Sequence, residues 1–207
     1  RNSGSGARAQ FLANFLRVPC LDKAVDPYLV EGGEWPMVQT NASSGFMSEC
    51  FDDFDDELQW AIGYQSTEKN DGWYSKYRFI KIDGAAPTLE NVANDKYLDW
   101  VEQSLQYNTA AYNAAPAATQ AVIDLIAEES GQPSIIADLN AKYVHPWGQG
   151  GYMAKPTDLD GIQPPAFPFD LAYPVNRTTR RYPLGYSLDS CRPPVHVFYA
   201  WPGAVGF

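Results

Sequence analysis

The sequence predicts an α/β chain, and three observations carry the prediction. Short aromatic and β-branched runs alternate with stretches whose apolar residues recur at helical spacing, Pro and Gly punctuate the joins, and both patterns stop near His145. Beyond His145 the chain reads as an extended, Pro-rich C-terminal tail.

The first element is a helix. The opening "RNSGSGARAQFLANFLR" places Phe11, Leu12, Phe15 and Leu16 at near-helical spacing, so Ser5 or Gly6 reads as its N-cap. Pro and Gly interrupt the chain from Val18 to Gln39. The small residues of "NASSGFMSECF" then read as a turn entering a second helix, followed by the acidic residues Asp52, Asp53, Asp55, Asp56 and Glu57. That cluster reads as a solvated face, because it lacks the Gly-turned spacing of a calcium loop.

"WAIGYQS" and "YRFIKI" read as strands, being short and rich in aromatic and β-branched residues. "DGAAPTLENVAN" reads as a turn and a short helix begun around Pro87. The clearest helix runs from Pro116 to about Glu129, with Pro in its first turn, Val122, Ile123, Leu125 and Ile126 on an apolar face, and Gly131 to close it. "SIIADLNAK" reads as one more short helix. Of the 16 prolines, ten lie beyond His145, among many aromatic residues, so the tail is expected to be irregular yet ordered and to lie against its own body or a partner.

Charge and composition exclude several classes. With 15 basic and 25 acidic residues the formal charge is −10, which argues against a nucleic-acid partner. No apolar run approaches the roughly 20 residues a bilayer span needs. Cys20, Cys50 and Cys191 lack C-x-x-C spacing and His145 and His196 lie far apart, so no metal or cofactor is expected. Neither a G-x-S-x-G elbow nor an H-E-x-x-H run is present, and the chain is not read as an enzyme.

The glycines before the first helix pose a choice between a flexible leader and an anion cradle. A helix N-terminus offers unpaired N–H groups and about half a positive charge, and glycines let an anion approach closely. Ser3 and Ser5 add hydroxyl donors, Arg1 offers a fork of N–H groups, and Arg8 lies in the first turn. Trp60, Gly63 and Tyr64 close a predicted strand, where core packing competes with contact to a cleft ligand. Arg177, Arg180 and Arg181 with Tyr182 form a local basic patch, and Asn41 and Asn176 open N-x-[ST] triplets.

"RNSGSGARAQFLANFL" resembles the phosphate-binding segment, usually R-S-D-G-S-G-T-T before a helix, of the periplasmic phosphate-binding proteins of bacterial ABC importers. Three further stretches resemble that family in its order: "SSGFMSECF" with "WAIGY", "IKIDGAAPTLENVANDKY", and "AVIDLIAEESGQPSIIADLNAKYVHP". The match covers about residues 1–150.

The resemblance implies an incomplete type II periplasmic-binding-protein-like fold of two lobes. Residues 1–95 would be the second, ligand-binding lobe, 96–150 the crossing strand and C-terminal part of the first lobe, and 151–207 the tail. Most of the first lobe, with the aspartate that accepts the proton of hydrogen phosphate, would be missing.

The family's oxyanion contacts fall on Arg1, Ser5 and Gly6, with Ala7 in place of a threonine and Ser3 in place of the aspartate that orients the arginine. The implied function is capture of phosphate or a related oxyanion for an ABC transporter membrane component, in the periplasm or outside the cell. The alternative is a structural or interaction protein, such as a surface or filament subunit with a degenerate ligand site, meeting the missing N-terminal lobe or a neighbouring subunit. Secretion also leads to an expected Cys20–Cys50 disulfide, with Cys191 left free or paired with the missing part.

Overall fold

The computed structural model describes residues 5–21, 39–69, 75–103, 105–154, 168–176, 178–179, 191 and 194–196. Helix α1 spans Gly6–Phe11 and continues through a π-helical turn, Leu12–Leu16, that ends on Arg17 in the left-handed region. Ser5 is its N-cap, as the sequence predicts, though its side chain does not cap the helix.

Helix α2 spans Ser44–Asp56 and is started by Ser43, whose hydroxyl accepts the Phe46 N–H at 3.2 Å. Its last turns carry Asp52, Asp53, Asp55 and Asp56, so the acidic cluster belongs to the helix rather than to a later loop. Lys76 forms an ion pair with Asp56.

A tight corner comes next. Ile82 and Ala85 exchange two 3.0 Å backbone bonds around Asp83 and Gly84, and the +82° φ of Gly84 suits a residue without Cβ. Ala85, Ala86, Thr88 and Leu89 are buried, and the Thr88 hydroxyl accepts the Asn91 N–H to open α3, Leu89–Ala93. The turn and short helix predicted around Pro87 are therefore present.

Helix α4, Thr109–Ala114, meets α5, Ala117–Glu129, through polar bonds. Tyr112 donates to Asp124 at 2.8 Å, and Gln120 Nε2 donates to the carbonyls of Tyr112 and Ala115. Pro116 stands at the N-cap of α5 and Ser130, rather than Gly131, at its C-cap. Helix α6, Pro133–Asn140, has Pro in its first turn.

The best-packed corner lies around α6. Ile136 packs with Ala154, Val175 and Tyr152, and Ala154 bridges Val175 through bonds to Pro174 and Asn176. Tyr152, Ala154 and Val175 of the tail thus lie against α6 of the chain's own body, while Leu171 and Tyr173 are exposed. Two short antiparallel pairs are present, β1 (Val144–His145) with β2 (Gly148–Gln149) and β3 (Thr178–Thr179) with β4 (Val195–His196).

Two expectations need correction. Residues 60–66 and 77–82 form no strand ladder among the described residues. Their aromatic and β-branched composition suits a pleated surface, but strand preference is realised only with neighbours on either side. The α/β reading therefore holds only as helices with small two-stranded pairs. The disulfide joins Cys20 to Cys191, whose Cα atoms lie 5.3 Å apart, and Cys50 on α2 is a free thiol. Separation along the chain says nothing about which Cβ atoms meet in space.

Among the described residues no helix is long and apolar enough to cross a membrane. The disulfide fits a chain that matures in an oxidising compartment.

Candidate functional site

The start of α1 is the first element of the candidate site. Ser5 is extended, with φ −72° and ψ 126°, and its carbonyl accepts the Ala9 N–H at 3.0 Å. The N–H groups of Gly6 and Ala7 precede the helical ladder and have no acceptor among the described residues. Gly6 is exposed and Ala7 half-buried, and a Cβ placed on Gly6 would meet nothing within 4 Å. Arg1 and Ser3 lie outside the described residues, so three of the five expected contact positions, Ser5, Gly6 and Ala7, are placed together at one helix end.

The far end of α1 is tied to a carboxylate that sequence reading did not single out. Asp99 accepts bonds from Gln10 Nε2 at 3.1 Å and Asn14 Nδ2 at 2.6 Å, and from the Tyr64 hydroxyl at 3.0 Å. Gln10 and Asn14 meet it together because residues four apart share a helix face. Phe11 packs on both Phe15 and Tyr64, with ring centroids 5.3 and 5.4 Å apart. Burial, and then the charge of Asp99, push the Tyr97 phenol well above its ordinary range. The i, i+4 amides were the available signal, but nothing in the sequence points them at residue 99.

This carboxylate sits at the edge of an open cleft of about 1060 Å³. Its walls come from residues 59–67, 76–82 and 97–103 and from the ends of α5 and α6. Tyr64 is half-buried here, whereas Trp60 is fully exposed at 101% and Ile62 nearly so at 95%, against the core packing the sequence favoured for Trp60. Gly63 lets the Phe51 ring of α2 lie directly on the backbone, leaving no room for a Cβ. Gln65 is only 9% exposed, yet neither atom of its amide has a hydrogen-bond partner. Unlike the surrounding apolar exposure, that is a cost the fold carries with no visible return.

The remaining singled-out residues have structural roles or lie elsewhere. His145 is buried and its Nε2 donates to the Thr67 carbonyl at 2.7 Å. Tyr152 donates to Glu68, and burial, together with that bond, pushes its phenol up. Asn176 is buried and its Oδ1 accepts both the N–H and the hydroxyl of Thr178, so its triplet serves a turn. Arg177, Arg180, Arg181 and Tyr182 lie outside the described residues. Among the described residues no group of His, Cys, Asp and Glu is placed to hold a metal ion.

No family model, curated protein or solved structure matches the chain.

Proposed function

We propose that the chain captures a small oxyanion, phosphate first, at the N-terminus of α1. The observation that carries this reading is the acceptor-free pair of N–H groups at Gly6 and Ala7, next to the Ser5 hydroxyl. Such groups, with the positive end of the helix, favour a dianion. Arg1 supplies a charged fork in this reading, with Ser3 in place of the aspartate that would orient it, so the fork is less firmly aimed. Selection works through hydrogen bonds rather than through a reaction. In its finer form the proposal places the chain in a two-lobed type II solute-binding protein serving an ABC transporter, in the periplasm or outside the cell. The four stretches that resemble that family, in its order along the chain, support it.

Calorimetric titration with phosphate, sulfate and arsenate tests the reading. Binding of at least one ion is expected. Ser5→Asp should abolish it by placing a carboxylate in the cradle, and Ala7→Thr should strengthen it by one bond to a charged acceptor, about 1.5–3 kcal/mol. No heat with any ion, or unchanged affinity in Ser5→Asp, defeats the proposal.

A second reading, an interaction or structural subunit, is favoured by a different observation. Val122, Leu125 and Ile126 on α5 are all at least half exposed, and that helix buries no residue. An apolar face of this kind on a helix is normally covered.

A further inference from the structure

We infer that the cleft walled by residues 59–66, 77–82 and 97–103 is a slot for one added β-strand. Its occupant is an extended peptide segment of a partner chain, apolar at alternate positions and flanked by lysine or arginine. The slot stands independently of the oxyanion reading.

Local geometry already resembles a strand. Exposure alternates residue by residue from Ser75 to Ile80, the period-2 pattern of strand backbone. Tyr77 and Phe79 present their rings to one side, 6.3 Å apart. Phe51 of α2 touches Tyr77 and lies on Gly63, so one helix covers both walls.

The backbone of the slot selects the class of occupant. Among the described residues Trp60, Ala61, Ile62, Gly63, Gln65 and Ile80 have no backbone hydrogen bond, although they sit outside every turn and helix. The buried amide of Gln65 is unpartnered on the same wall. A lipid or an apolar small molecule would cover the side chains while stripping water from these N–H and C=O groups, which costs free energy at each one. A second extended backbone supplies donors and acceptors at matching intervals, and its alternate side chains meet Trp60, Ile62 and Ile80.

Charge selects the flanks of that occupant. The run Asp52, Asp53, Asp55, Asp56 and Glu57 ends two residues before the slot begins, at a helix C-terminus whose dipole adds to the negative potential. It outnumbers the cations on the cleft wall, Arg78 and Lys76, the latter paired with Asp56. Two copies of this chain meeting edge to edge would bring these clusters together. A partner strand with basic flanks is attracted instead, and the chain's net charge of −10 reinforces the preference.

The 207-residue chain should be titrated with a synthetic peptide of two lysines preceding alternating valine and threonine, reading tryptophan fluorescence and amide exchange by NMR. Saturable binding is expected, with slowed exchange at residues 60–63. Methylating the backbone nitrogens of alternate peptide residues should weaken binding about tenfold or more, since it removes the donors of the added ladder. Replacing the lysines by glutamates should weaken it further. Three results overturn the inference: no binding, equal binding of the methylated peptide, or self-association of the chain alone that protects the same amides.

Discussion

Asn140 and Gln65 are both amides in buried positions, and the contrast between their surroundings divides the molecule. Asn140 has 0% exposure, and its side chain donates to the Tyr152 carbonyl at 2.6 Å and accepts the Tyr152 N–H at 2.8 Å. Its own carbonyl takes the Gln149 amide at 2.8 Å. Around it Ile136, Ala154 and Val175 close a small core. Gln65 has neither bond, and the residues just before it present Trp60 and Ile62 to solvent. The Asn140 amide is bonded at both its nitrogen and its oxygen within the chain, although Gln149 Oε1 beside it has no partner. Neither atom of the Gln65 amide is bonded and its neighbours are apolar and exposed, which is the physical signature of a surface built to be covered.

The contrast predicts a ranking of substitution effects. The largest belongs to the Cys20–Cys191 link, which fastens the tail across a separation of 171 residues. Loop-closure entropy in the unfolded chain gives Cys191→Ser a cost of about 5 kcal/mol at most. Urea unfolding of the oxidised chain and the variant measures it. A cost near zero would mean that the tail is held by its packing on Ala154 alone.

Next comes Asn140→Ala, which takes the Asn140 side-chain partner from the part-buried N–H and C=O of Tyr152. The expected loss is about 2–4 kcal/mol, read from the same unfolding curves. The smallest effect belongs to the open region. Ile62→Thr removes almost no buried area, so stability should change by no more than about 0.5 kcal/mol, while association through the slot should weaken. A loss comparable to that of Asn140→Ala would show that Ile62 is buried in solution and would erase the difference between the regions.

The same division explains what the sequence revealed. Local signals were legible: Ser5 before α1, Pro87 before α3 and Pro116 at the start of α5 all act within one turn of themselves. Non-local pairings were not. Cys20 meets Cys191 rather than Cys50 because the tail returns past the first helical segment, and no spacing rule encodes that return. The runs at 60–66 and 77–82 have strand composition but lack a ladder, since pairing is a property of neighbours. In the candidate site, Ser5, Gly6 and Ala7 were visible as a glycine-flanked helix start. Asp99, which anchors the same helix through Gln10 and Asn14, became visible only when residues 85 and 89 positions apart were brought together.

Residue-resolved hydrogen exchange on the chain alone tests this division most directly. The account predicts that the amides of residues 60–63 and 65 exchange at nearly the rate of unstructured peptide. In contrast, Ile136, Asn140, Tyr152 and Ala154 should be protected close to the limit set by global unfolding. Protection of residues 60–63 equal to that of Asn140 in the chain alone would contradict it, because the open edge would already be paired.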